Sequence, residues 1–429
     1  MNLEEIKLKN FRCFKEQSFR LHPEFNLIVG INGSGKTALL DAVSVVIASW
    51  LLGFKNRPDK KALSTSDVRL EYVVENDEPQ FIESWPVTVE AKGIVNDTSL
   101  WWERSKHSES GNTRYGNATD LITLAQSLNE KLGEGISLPL ISYYGTMRLW
   151  QDPRQSKVRP DTVSKKKPSP LDGYRHCVDP RIATRELVAW FASQEWSAYQ
   201  QGKEPLMLKV VREAILSCID KAEHLRYDPK RKELILTREG IDPQPFSTLS
   251  DGLRCVLALV ADIAQKAVKL NPHLGQDVLQ KTKGVVLIDE LDLHLHPRWQ
   301  KRVIEDLRTT FPEIQFICTT HSPFLIQALR SGEELLVLDG QPTAQLANKP
   351  LKEIAEGIMG VENSETSRRY DEMKKTGTEY LELLDKAEQS PDDKLESYKQ
   401  KLADAIAPYA DNPAYQAILE MERIKKLGS

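Results

Sequence analysis

The chain has 429 residues, of which 40% are apolar and 28% charged, with a formal net charge of −4 at pH 7. That length holds one large domain with an appendage, or two domains, and the composition is globular rather than disordered. So small a net charge excludes a global attraction to nucleic acid, so any such contact must come from a local patch or through a partner. No apolar run approaches the ~20 residues needed to span a bilayer. The acidic opening Met1-Asn2-Leu3-Glu4-Glu5 has no apolar signal core, so a cytoplasmic protein with no membrane partner is expected. Five scattered cysteines (Cys13, Cys177, Cys218, Cys255, Cys318) include no C-x-x-C pair and suggest neither a zinc site nor a disulfide framework.

Residues 3–29 alternate as strands do, ending in the apolar run Phe25–Val29, which reads as a buried strand. Gly30-Ile31-Asn32-Gly33-Ser34-Gly35-Lys36-Thr37 follows and satisfies the phosphate-loop pattern G-x-x-x-x-G-K-[ST]; Ala38–Val43 then opens a helix. The chemistry explains this spacing. Glycines let the backbone curl so that the N–H groups across Asn32, Gly33, Ser34 and Gly35 turn inward, and the helix dipole favours anions. Lys36 supplies a mobile charge for the β- and γ-phosphates of ATP, and Thr37 offers a hydroxyl to Mg²⁺. The words "LKNFRCF" and "NLIVGINGSGKTALLDAV" resemble the opening of the RecF/SMC/OLD branch of ABC-type ATPases. That resemblance implies an antiparallel sheet beside a parallel nucleotide-binding one.

Strand-like patterning runs from Val68 to Arg104, a polar connection covers 105–118, Leu121–Leu132 reads as a helix and Leu138–Tyr144 as a buried strand. The word "YYGTMRLW" follows and resembles a recurrent feature of a bacterial subfamily of these ATPases. Arg148 and Gln151 there are either nucleotide-sensing groups or surface polar residues at a strand end. Between 154 and 175, Arg154, Lys157, Arg159, Lys165, Lys166, Lys167 and Arg175 fall among Pro160, Pro168, Pro170 and Gly173. This irregular basic loop either grips phosphates or is simply solvated. Helical spacing over about 181–223, broken near Gly202 and Pro205, predicts an insertion of two or three helices, and Leu225–Arg238 a hairpin.

Ser250-Asp251-Gly252 precedes the apolar helix Cys255–Val268, where a serine is a good N-cap and its hydroxyl with nearby N–H groups makes an anion site. "LSDGLR" resembles the ABC signature, keeping Ser250 and Gly252 but departing at Asp251 and Leu253-Arg254. Gly284–Ile288 is a buried strand ending in Asp289-Glu290, and a carboxylate pair at such a tip needs a function or solvent. The resemblance implies that Asp289 holds the Mg²⁺ water shell and that Glu290 polarises the attacking water. "LDLHLHP" resembles the dimer-contacting loop of the family; His294 and His296, at i, i+2 with no further ligands nearby, make a weak metal site. "TTHSPFLI" resembles the switch-histidine motif, in which His321 senses the γ-phosphate.

Residues 341–429 read as polar helices over 352–359, 368–388, 392–407 and 413–426, with 13 Lys/Arg against 17 Asp/Glu, which equals the whole net charge. Helices this polar need something to pack on: a partner chain, or the ATPase itself. The interval from Trp150 to Ser250 is too short and broken for heptads, so long coiled-coil arms are excluded. No Asp-x-Asp cluster follows His321, so an appended nuclease domain is not expected.

With "IDELDLHLHP" and "EIAEGIMGVENS" added, the whole pattern resembles the ATPase subunit of Septu and retron-associated anti-phage systems. The implied fold is an α/β P-loop ABC-type ATPase head over 1–340, with a mixed sheet, an antiparallel subdomain and a short helical insertion, followed by a helical C-terminal partner-docking region over 341–429. The implied activity is Mg²⁺-dependent ATP hydrolysis. The implied assembly is a homodimer or a dimer-based oligomer, with Lys36 of one protomer facing Ser250 and Gly252 of another, holding an HNH nuclease subunit. Nucleic acid would be met directly or through that partner. Two rivals stand beside this reading: a RecF-like repair ATPase that itself clamps duplex DNA, and an ATPase scaffold for a toxin with no DNA response.

Overall fold

The first 29 residues form three strands: β1 (Asn2–Phe11), β2 (Phe14–Arg20) and β3 (Phe25–Val29). In β1 the buried side chains Leu3, Ile6, Leu8 and Phe11 face the core and polar ones alternate with them, whereas all five residues of β3 are buried. This is the difference between a strand covered on one face and one covered on both. The computed structural model describes residues 1–54, 59, 61–75, 77–149, 169–338, 349–360, 366–388, 400–401, 403–404, 407 and 412–427. Gln151, Lys165, Lys166, Lys167 and most of the helix expected over 392–407 lie outside these residues. The chain separates into two compact units, Met1–Ile354 and Ala355–Ser429.

Within the first unit, β4 (Arg69–Glu75) and β5 (Glu78–Ser84) form a hairpin of their own. β6 (Val87–Val95) and β7 (Thr98–Lys106) join β1 and β2 in an antiparallel sheet of order β2-β1-β6-β7. The second main sheet is parallel throughout. It adds β8 (Leu140–Tyr144), β12 (Gly284–Ile288), β13 (Ile314–Thr319) and β14 (Leu335–Val337) to β3, in the order β14-β3-β13-β12-β8. The parallel and antiparallel strands expected from the sequence thus sort into separate sheets. Gln315, fully buried, fastens them together: its amide nitrogen donates to Leu3 O at 2.8 Å and its oxygen accepts from Leu3 N at 2.7 Å.

Helix α1 (Lys36–Ile47) touches strands of both sheets, which explains why it is apolar nearly all round. With the following turn it gives Lys36–Gly53 the length and hydropathy of a membrane span, although the sequence reading found no run that approached one. Most of that stretch is buried between the sheets, which accounts for its composition. Helix α2 (Thr119–Glu130) follows β7, and the insertion consists of α3 (Thr184–Gln201) and α4 (Leu206–Cys218). The expected hairpin is β9 (Ala222–Asp228) with β10 (Glu233–Arg238), extended by a third strand, β11 (Ile241–Pro245). Helix α5 (Asp251–Leu270) is buried over most of its 20 residues and carries an internal polar network. Lys266 Nζ lies 2.7 Å from Asp262 Oδ2 and donates to Ser142 Oγ on β8, while the Tyr144 hydroxyl donates to Asp262 at 2.7 Å.

In the second unit, the helices Arg368–Glu388 and Pro413–Leu427 pack through Tyr380, Leu384 and Leu419, with Leu383 and Tyr415 partly buried against them. The Tyr415 hydroxyl donates to Met373 O.

One buried ion pair braces the edge of the parallel sheet. Arg308, on the helix Val303–Thr310, lies 2.6 Å from Glu334 just before β14, and its guanidinium also covers the ring of Phe25 at the start of β3. Glu334 further accepts from Arg330 N at 2.8 Å. Removing one partner leaves the other charge buried alone, so Glu334→Ala is expected to destabilise the first unit by about 3–5 kcal/mol. The apolar double variant Arg308→Met/Glu334→Leu is expected to recover most of that loss, as read by thermal melting of the three proteins.

Candidate nucleotide site

The site forms where β3, β12 and β13 end. In-register pairing sets Ile288 beside Tyr144 and Cys318, and Thr319 beside Ile28, so the residues that follow each strand emerge at one edge. In open α/β sheets this carboxyl edge is where ligands bind. From β3 the phosphate loop emerges with Asn32 and Gly33 exposed and Lys36 largely buried. Gly35 adopts φ 101°, and a Cβ there would fall 2.5 Å from Cys13 Sγ and 2.7 Å from Phe14 Cζ, so the turn after β1 leaves no room for a side chain. Lys36 Nζ donates to the loop's own carbonyls, Gly30 O at 2.7 Å and Ile31 O at 3.0 Å. A loop that gathers an ammonium over a ring of its own backbone is shaped for a phosphate group.

β12 and β13 supply the acidic side. Thr37 Oγ1 donates to Asp289 Oδ2 at 2.9 Å, and Thr319 Oγ1 donates to the other carboxylate oxygen at 2.6 Å. Asp289 is only 3% exposed, while Glu290 is partly open and adopts φ 48°, a left-handed conformation uncommon outside glycine. The Glu290 amide donates to Thr319 Oγ1 at 2.7 Å, so one threonine holds both acidic residues in place. A hydroxyl and a carboxylate oxygen within hydrogen-bond distance form the all-oxygen donor set that suits Mg²⁺. Beneath them, burial and then the Asp41 and Asp289 carboxylates push the Tyr143 phenol above its ordinary range.

Asp292 ties the next two motifs together. Its Oδ1 accepts from Thr320 Oγ1 at 2.6 Å and from the His321 amide at 3.3 Å, leaving the His321 residue exposed at the rim. Ser322 caps the short helix Pro323–Gln327 and donates to Gln300 Oε1 at 2.6 Å. Further along the same loop, His294 O approaches the signature segment so closely that a Cβ on Gly252 would lie 2.5 Å from it. Ser250 occupies the N-cap of α5, but its side chain makes no capping hydrogen bond and the residue is exposed. Arg254 donates to Asp251 and holds that carboxyl below its usual range.

The structure thus joins Thr37, Asp289 and Glu290 directly, links Asp292 to His321, and seats Gly252 on the loop between them. Two contributors, Thr319 and Arg12, escaped the sequence reading, and a third, Arg148, was left open there. Thr319 lies 29 residues from Glu290 in sequence, and nothing local marks it. Arg12, inside "LKNFRCF", donates to Asp41 on α1 at 2.7 Å and to Asp67 at 2.8 Å, bracing the helix behind the phosphate loop. Arg148 is not the surface residue that the sequence left open as one alternative. It is 1% exposed and donates to the carbonyls of Asp289 at 2.8 Å and Glu290 at 3.1 Å.

The chain is similar to several known proteins. The chain is 25% identical over 386 residues to "Retron Vc95 probable ATPase" of Vibrio cholerae serotype O1 biovar El Tor, covering 78% of this chain and 73% of that protein. It is 23% identical over 431 residues to "Septu protein PtuA" of Bacillus mycoides (strain KBAB4), covering 95% of this chain but 50% of the relative, so it spans about half of that protein's length. A solved SMC head bound to the C-winged helix domain of ScpA superposes with a TM-score of 0.46 at 17% identity, over 79% of this chain and 94% of that one. Residues 25–327 match the family model described as "AAA domain, putative AbiEii toxin, Type IV TA system". With the match running from β3 through the short helix Pro323–Gln327, the chain belongs to that family of P-loop ATPases.

Proposed function

We propose that this chain is the ATP-binding, Mg²⁺-dependent ATP-hydrolysing subunit of a bacterial anti-phage defence complex, and that it oligomerises and regulates a separate HNH-type nuclease subunit. The observation that carries the ATPase part is the contact of Thr37 with Asp289, which joins the phosphate loop to the acidic strand tip, with Glu290 next to it. The defence assignment rests on the retron and Septu relatives.

The amides of Asn32, Gly33, Ser34 and Gly35 grip the phosphates while Lys36 leaves its loop carbonyls for the β- and γ-phosphate oxygens. Thr37 and Asp289 would hold Mg²⁺, which supplies charge neutralisation on those phosphates when bound. Glu290 orients a water for in-line attack and takes its proton, and His321 at the rim reads the γ-phosphate. The unused hydroxyl of Ser250, with the amide of Gly252, faces the nucleotide held by a second protomer. ATP occupancy then sets the quaternary state, and with it the restraint on the nuclease.

Glu290→Gln is expected to slow turnover by at least ~10²-fold while ATP binding persists; a variant that turns over normally would remove Glu290 from the chemistry. Ser250→Arg is expected to leave the monomer's ATP affinity within about threefold and to abolish ATP-dependent dimerisation in light scattering, because a bulky cation at the N-cap blocks the facing site. Purification of the tagged chain from its native locus with its neighbours is expected to bring down a stoichiometric HNH nuclease. A lone homodimer whose hydrolysis is stimulated by duplex DNA would favour the DNA-clamp reading instead.

A further inference from the structure

Among the described residues Arg148 is the most deeply buried cation near the site, and its partners there are all neutral. Besides the carbonyls of Asp289 and Glu290, its guanidinium donates to Gly145 O at 3.1 Å and, through Nε, to Cys255 Sγ at 3.0 Å. Among the described residues no carboxylate lies within ion-pair distance of it. A guanidinium removed from water without a counter-charge is expensive. Packing alone would be served better by an apolar residue, so the cost indicates that these particular acceptors must be held.

Their positions show what is held. The tip of β12 is gripped from two sides. On the β13 side Thr319 takes the Asp289 carboxylate and the Glu290 amide. On the β8 side Tyr144 O accepts from the Asp289 amide at 2.7 Å, and Arg148 takes the two carbonyls that follow. Glu290 sits between these grips at φ 48°, a conformation that persists only where its surroundings enforce it. The fourth contact runs elsewhere: Cys255 lies in the first turns of α5, five residues after Ser250. Arg148 is also anchored through its own backbone, since its carbonyl accepts from Ile182 N at 2.9 Å at the entry to the helical insertion.

The geometry points to Arg148 as a positioning residue for hydrolysis, one that fixes the Glu290 backbone and fastens it to the start of the signature helix, so that engagement of Ser250 and Gly252 is felt at the carboxylate. This inference rests on the ATPase reading and adds to it a path from the signature loop to the catalytic group. Arg148 holds the backbone of Asp289 and Glu290 and so acts through Glu290.

The test compares Arg148→Gln and Arg148→Lys with the wild-type chain, each alone and combined with Glu290→Gln, using single-turnover ATP hydrolysis, steady-state kcat and KM, and binding of a fluorescent ATP analogue. Arg148→Gln is expected to lower kcat by about 10- to 100-fold with KM and analogue affinity within about threefold, and Arg148→Lys to restore part of the loss. Because the effect passes through Glu290, adding Arg148→Gln to Glu290→Gln is expected to change the residual rate by less than about twofold. A full additional loss in that background, a normal kcat in a folded variant, or a rise in KM with kcat kept would each overturn the proposal. Should Arg148→Gln fail to give a cooperative melt, the lysine variant carries the same comparison. A wild-type chain that hydrolyses no ATP would instead defeat the ATPase reading itself.

Discussion

The site depends on the register of the parallel sheet. β3, β12 and β13 are paired so that their last residues fall side by side, and only then can Thr37, Asp289 and Thr319 share hydrogen bonds although they come from remote parts of the chain. A one-residue slip of β12 would turn Asp289 to the opposite face and separate these groups. The buried braces serve that register. Arg308 and Glu334 hold the β3–β14 edge, Gln315 ties β13 to β1, and the Lys266–Asp262–Tyr144 network ties β8 to α5.

Much of this was legible in the sequence because the chemistry is local there. The phosphate loop, the strand ending in Asp289-Glu290 and the "TTHSP" turn each carry their strand and their functional residue in one continuous word. The helices of the insertion and α5 likewise announced themselves by apolar spacing. What escaped notice lies in pairings across long stretches of chain. Thr319 is an ordinary threonine until β13 sets it against β12, and Arg12 is an ordinary arginine until Asp67 and Asp41 converge on it. Arg148 was left undecided for a physical reason: a cation after a strand is usually solvated, and only the structure reveals four neutral acceptors arranged around it. The serine of the signature loop is a subtler case. Its place at the N-cap was readable, but not that its hydroxyl is left unused by its own helix.

The two apolar surfaces of α1 and the close approach at Gly35 make the phosphate loop a rigid element. Arg12 braces the same helix from the side of β1. In the proposed mechanism nucleotide would meet this loop already formed, and Lys36 would exchange the carbonyls of Gly30 and Ile31 for phosphate oxygens. His321 and Ser250 are exposed, and the loop from Asp292 to His294 contacts His321 at one end and Gly252 at the other.

The pairing of β3 also bears on how the protein is made. Both of its sheet neighbours, β13 and β14, are encoded near the far end of the ATPase unit, with Phe25 beside Phe316 and Leu27 beside Leu335. The strand that leads into the phosphate loop has no sheet partner until the segments that carry β13 and β14 have been synthesised. Contacts of such sequence separation form slowly, and during that interval β3 lacks both of its sheet neighbours, although α1 already has β1, β6 and β7 to pack on.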